Sequence, residues 1–164
     1  VAAALYASAV AVASGVWVGE PAAADEPGVP ADATPAGAAV FAGHCAVCHG
    51  PQAAGIPGSF PSLHAQVAAF AKSEEGRDYL VMVVTTGLMG SLKVAGVSYN
   101  GVMPAQSLLS EAEIAAVLTY LASDLGKNLA GTSALTAAEV TAARERHPER
   151  SAQSTRALRP ASDL

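Results

Sequence analysis

Cysteine is scarce in this chain of 164 residues: it occurs twice, as Cys45 and Cys48. A structural zinc site needs four ligands, and no second cysteine pair exists to complete one. Aromatic residues are equally few, at 5%, in a chain that is 51% hydrophobic with much of that alanine. A core of such small side chains would be thin without an added apolar body. Bases number 9 against 14 acids, a net charge of −5, which argues against nucleic acid as a partner. There is no strand-rich α/β alternation of the kind that frames a thioredoxin-like dithiol. No phosphate-binding glycine loop, nucleophile–base pattern or internal repeat is visible either, so nothing in the chain reads as an enzyme's catalytic set.

What the chain does have is HCAVCHG, His44 to Gly50, where both cysteines meet two of the four histidines. C-x-x-C by itself is compatible with a redox dithiol, half a metal site or a disulfide. C-x-x-C-H is narrower and marks attachment of a c-type haem. The thiols of Cys45 and Cys48 add across the two vinyl groups of the ring, and a helical turn sets them under one edge of it. His49 then supplies the proximal imidazole to the iron. His44 is one residue from a tethered cysteine and reads as an exposed neighbour. A haem also supplies the large apolar body that the composition lacks.

The chain divides by composition. Residues 1–24 open with VAAALYASAVAVASGVWVG, uncharged before Glu20, and run into Ala22-Ala23-Ala24. They read as a cleaved secretory signal or a retained membrane anchor, with residues 1–19 as the possible tether. Both place the remainder on the outer side of the cytoplasmic membrane, in the periplasm or an equivalent space. Residues 25–36 continue an Ala/Pro-rich acidic linker. Residues 37–126 form the haem domain and carry three bases (Lys72, Arg77, Lys93) against six acids. Residues 127–164 form a C-terminal extension with six bases and four acids.

Within 37–126 a short helix from Gly37 to His44 leads into the motif. The Pro/Gly-rich stretch 51–64 reads as loop. Residues 65–72 and 75–89 show helical spacing, with Met82 and Met89 as packing residues of the second. Residues 91–99 suggest a hairpin turning at Ala95-Gly96. Ser110 and Glu113 form a capping box for a helix over 110–125 that Gly126 ends. Met103, in a loop between hairpin and helix with Pro104 after it, is the expected second axial ligand. His64 is the rival, and a histidine there would lower the potential relative to methionine. In the extension, Thr136 and Glu139 predict a second capping box and a helix to about His147, clamped over the haem domain. Arg144 and Arg146 point outward or pair with the domain's acids, and His147 is solvated.

These motifs together resemble the class I cytochromes c. Gly37 and Phe41 match the family's small and aromatic pair on the first helix, and Tyr120 its aromatic on the last. Cys45, Cys48 and His49 match the haem motif, Met103-Pro104 the Met-Pro element, and Pro61-Ser62-Leu63 the P-x-L element. Within the family, GIPGSFPSL, GRDYL, YNGVM, EAEIAAVL and the basic tail are similar in order and spacing to a soluble electron carrier that donates to a ba-type terminal oxidase.

The resemblance implies an all-α fold around one covalent haem c, with a small two-stranded hairpin and the C-terminal extension. It implies that Gly37 and Phe41 pack on Val117 and Tyr120, and that the Pro61 carbonyl accepts the His49 Nδ1 proton. Tyr99 and Asn100 join Cys45, Cys48, His49, Pro61 and Met103 as cofactor-binding residues, with His49 and Met103 on the iron. The implied function is one-electron transfer, from a quinol-oxidising complex or dehydrogenase to a terminal oxidase of the respiratory chain. The alternative is a haem c subunit of a periplasmic dehydrogenase complex. With few lysines, docking is expected through apolar loop residues: Ala46, Val47, Ala53, Ile56, Pro57, Met103, Pro104 and Ala105.

Overall fold

The computed structural model describes residues 33–125, 133–148 and 151–161. The expected signal or anchor, most of the linker and the stop at Gly126 lie outside them. No helix among the described residues is long and apolar enough to cross a membrane.

The first helix, α1 (Ala33–Val40), starts four residues earlier than Gly37. Its alanines favour helix, and Pro35 falls in the first turn, where no intrahelical N–H bond is lost. The chain then widens into π-helical winding over Phe41–Cys45 and continues as α2 (Ala46–His49). The loop that follows leads to α3 (His64–Phe70) and α4 (Glu74–Thr86). Ser73 caps α4, accepting from the Gly76 N–H at 3.1 Å.

Helix α4 stops at Thr86, three residues short of the expected end. Gly87 takes φ 80° there, and residues 88 and 89 enter a strand. The hairpin is correspondingly longer than 91–99. Strand β1 (Leu88–Val94) pairs antiparallel with β2 (Val97–Met103), from Leu88 opposite Met103 to Val94 opposite Val97. Ala95 (φ 48°) and Gly96 (φ 80°) make the two-residue turn, whose doubly positive φ suits the twist of a hairpin. Met89 is therefore a strand residue, 44% exposed, not helical packing, whereas Met82 is fully buried.

Helix α5 (Glu111–Tyr120) has the expected capping box and runs into a second π-helical stretch, Leu121–Leu125. It crosses α1 at close range. A β-carbon on Gly37 would lie 2.2 Å from the Ala116 carbonyl oxygen and 2.7 Å from the Tyr120 Cβ. The Phe41 and Tyr120 rings meet at 5.9 Å between centroids. Phe41, Ile114, Val117 and Leu118 are buried at this crossing. The described chain is thus mostly helical with one small antiparallel sheet.

The extension packs on the rest of the protein. Helix α6 (Ala137–Arg146) carries the predicted Thr136–Glu139 capping box and buries Val140 and Ala143. Arg77 of α4 donates to Glu139 at 2.7 Å and to the Ala134 carbonyl at 2.9 Å, and Arg144 pairs with Glu111. Arg146 holds Asp78 through Nε (2.8 Å) and Nη2 (2.5 Å). His147 is not solvated as expected: its Nε2 lies 3.0 Å from Asp78 Oδ2. Helix α7 (Ala152–Ala157) buries Thr155, whose hydroxyl meets that of Thr86 at 2.6 Å.

Candidate functional site

The motif begins inside the widened turn. A π-helical stretch holds one more residue per turn than an α-helix, so it re-aims the side chains that follow it, and such winding is frequent at functional sites. Here Cys45 closes the stretch, and Cys48 and His49 stand on the single turn of α2. Gly50, at φ 77°, ends that turn.

His49 is buried, with 7% exposure. Its Nδ1 lies 2.9 Å from the Pro61 carbonyl oxygen. A carbonyl can only accept, so Nδ1 donates, and in the neutral ring Nε2 carries the free lone pair. Burial lowers the imidazole pKa below its ordinary value, against the opposing bond to Pro61, so the ring is held neutral. The loop is built to deliver that carbonyl. The Gly55 N–H donates to the His49 carbonyl at 2.8 Å, and the Leu63 N–H to the Ala53 carbonyl at 2.9 Å. Ala53 sits in the left-handed region at φ 56° and is fully buried. It is therefore not the exposed docking residue that was expected. His64 is turned away from the site, with its Nε2 on the Gln52 carbonyl.

Met103 is the last residue of β2, not a loop residue. A β-carbon on Gly87 would lie 2.4 Å from the Met103 carbonyl oxygen, so only glycine lets the end of α4 pass so close beneath it. Past Pro104 the chain is pinned to α4 where the Gln106 N–H donates to the Val84 carbonyl at 2.9 Å.

Cys45, Cys48, His49, Pro61, Tyr99 and Met103 all line one cavity of about 360 Å³. Met103 alone of the three methionines reaches it. Asn100 does not: it is exposed and is not among the residues that line the cavity. The walls include residues that the sequence reading did not assign to the site. Tyr79, Leu80 and Val83 of α4 contribute one wall, and Leu88, Leu92 and Val94 of β1 another. The α4 stripe was visible as helical periodicity, but periodicity does not tell a core face from a cofactor face. The β1 residues alternate, which is the signal that a longer hairpin would have exposed. Phe60 carried no such signal; its ring centroid stands 6.4 Å from that of His49.

The set fits a haem. The lining is predominantly apolar, both thiols are unpaired and stand on the wall beside a neutral, oriented imidazole, and a thioether faces the same space. It does not fit a reducing dithiol. Burial, with the neighbouring Cys48, pushes the Cys45 thiol up to about 11, and such chemistry needs a thiolate. No group of three or more metal-binding side chains occurs among the described residues.

Residues 32–121 match the family described as cytochrome c oxidase, cbb3-type, subunit III. The chain is also 44% identical to cytochrome c-552 of Thermus thermophilus over 106 residues, which cover 63% of this chain and 80% of that relative. A second cytochrome c-552 of the same species is likewise 44% identical over 106 residues, covering 63% of this chain and 71% of the relative.

Proposed function

The chain belongs to the class I c-type cytochromes, electron-transfer proteins carrying one covalent haem c, and from that premise we propose that it passes single electrons to a terminal oxidase on the outer side of the cytoplasmic membrane. When bound, the haem supplies a one-electron ferric/ferrous couple. The chain's own residues do the rest. Cys45 and Cys48 would tether the ring through thioethers. His49, oriented through Pro61, and Met103, held at the strand end over Gly87, would be the protein's two ligands to the iron. Ligation by both would leave the iron no place for substrate or dioxygen, and a His/Met pair in a buried site would favour the reduced state. Leu80, Val83, Leu88 and Leu92 exclude water, so the charge change occurs in a dry site.

The observation that carries this reading is that one apolar cavity gathers both thiols, the oriented imidazole and, of three methionines, only Met103. The family match to an oxidase subunit supports an oxidase, rather than a dehydrogenase, as partner. Residues 1–24, as signal or anchor, keep the protein on that side of the membrane. The test is to reduce the purified holo-protein and add terminal-oxidase membranes from the source organism under air. Rapid, cyanide-sensitive reoxidation is expected. Reoxidation no faster than in buffer alone would overturn the oxidase assignment while leaving the cofactor in place.

A further inference from the structure

The two edges of the small sheet are treated differently by the rest of the molecule. In a two-residue hairpin the pair flanking the turn is hydrogen-bonded, and bonded and non-bonded pairs alternate from there. The register runs from Val94 opposite Val97 to Leu88 opposite Met103. The backbone N–H and C=O groups of Met89, Ser91 and Lys93 therefore face out from β1, and those of Ser98, Asn100 and Val102 face out from β2. The extension caps the first edge at its middle. Arg156 of α7 donates from Nη1 to the outward Ser91 carbonyl at 2.9 Å, and a β-carbon on Gly90 would lie 3.5 Å from the same nitrogen. Among the described residues, no bond reaches the outward backbone groups of Ser98, Asn100 or Val102.

Sheet edges that stay unpaired usually carry a charge, a proline or a bulge that keeps other strands away. Strand β2 has none of these. Its sequence, VSYNGVM, holds no charged residue and no proline, and its register is unbroken over all seven residues. Val97, Ser98, Asn100, Gly101 and Val102 are exposed. The strand also matches itself. Run antiparallel to a second copy and centred on Asn100, it sets Asn100 opposite Asn100 and Ser98 opposite Val102. Each of those pairs is formed by outward groups, so each can exchange two N–H···O bonds. A two-fold axis repeats every contact, and a strand without charge meets no like charge in its own copy.

We propose that β2 is a self-association edge, along which two copies of this chain join their two-stranded hairpins into one continuous antiparallel sheet. The occupant is a second copy because the outward groups are symmetric about Asn100 and need no foreign sequence to satisfy them. Val102 also lines the cavity, so the joint lies at the cavity wall and takes up surface that an electron acceptor would use. One strand pair buries less than about 1,200 Å², the range of transient complexes, so the dimer is weak and forms at high concentration.

The experiment uses reduced, full-length holo-protein. Each copy carries a net charge of −5, so the work is done at about 0.15 M salt, where charges more than about 8 Å apart are largely screened. Sedimentation equilibrium from about 10 μM to about 1 mM should show monomer passing into dimer. Amide hydrogen exchange then locates the contact. The N–H groups of Ser98, Asn100 and Val102 should exchange at least about threefold more slowly at the top concentration than at the bottom one. Asn100→Pro removes an outward N–H and no bond to β1, and should weaken association by at least about tenfold. Asn100→Glu and Asn100→Lys should each weaken it too, because this residue faces its own copy, and an equimolar mixture of the two should associate more tightly than either alone. A parent protein that stays monomeric at about 1 mM would leave the edge to a strand of another protein and overturn the inference. So would a dimer that leaves those three amides unprotected or that Asn100→Pro does not weaken. Should Asn100→Pro lose its haem or its fold, the mixture of the two charge variants decides: recovery supports the pairing, and none refutes it.

Discussion

Gly37 in α1 lies against the carbonyl of Ala116 in α5 so closely that a β-carbon there would stand 2.2 Å from the oxygen. The contact is backbone to backbone, and nothing at the far side can swing aside. Gly37→Ala must therefore part the two helices at the point where Phe41 and Tyr120 meet. Overpacking of this kind costs about 1–3 kcal/mol. The variant should melt several degrees lower than the parent while keeping its haem spectrum. An unchanged melting temperature would show that the helices do not cross here.

Met103 should be the ligand whose loss is visible in the spectrum. The oxidised holo-protein is expected to show the weak methionine–iron charge-transfer band near the red limit of the visible, and Met103→Ala should abolish it. Met89→Ala should leave it intact, because Met89 is an exposed strand residue outside the cavity. The opposite pattern would reassign the ligand.

Asp78 should make the hold of the extension on α4 acid-labile. Burial would by itself raise its pKa, but the hydrogen bonds and charges of Arg146 and His147 outweigh burial and hold the carboxyl below its ordinary 3.8. A depressed pKa stabilises the fold fully above the ordinary value, and that contribution is lost as pH falls through the folded one. Asp78→Asn should therefore cost about 1–3 kcal/mol at pH 7. The difference in melting temperature between variant and parent should narrow as pH drops from 5 to 2. A gap that stays constant across that range would count against the ionic role.

The parts of this molecule that were legible in the sequence are those fixed by local chemistry. Ser110–Glu113 and Thr136–Glu139 satisfy their own helix starts within four residues, and both appear as read. The Ala95-Gly96 turn needs positive φ at both positions and takes it. The bond from His49 to Pro61 followed from a family resemblance and is present.

What escaped the sequence depends on distant partners. Leu88 and Met89 continue the helical spacing of α4 but become strand because Gly87 breaks the helix and β2 offers a ladder. His147 looked solvated in a polar tail, and only the fold brings it to Asp78, 69 residues away. The inward turn of Ala53 could not be seen because alanine carries no signal for a left-handed backbone.

Docking to the electron acceptor should be largely insensitive to salt. Val47 and Val102 both line the cavity and are 85% and 66% exposed, so the site opens to solvent through apolar side chains. Ile56, bridged to Phe60 of the cavity wall, is exposed as well. Steering by charge raises association rates but weakens steeply with ionic strength, whereas apolar burial is not screened. The acids that begin α4 offer a poor alternative, since Asp78 is committed to Arg146 and His147 and Glu74 lies 3.6 Å from Arg146. Stopped-flow rates with the oxidase should change less than about threefold between low and physiological salt, and Glu75→Lys should change them little. Val47→Asp and Val102→Asp should each slow transfer by about tenfold, since a buried, unpaired charge costs at least 1–3 kcal/mol. A tenfold fall in the parent's rate with salt, together with a large loss in Glu75→Lys, would instead assign the encounter to charge.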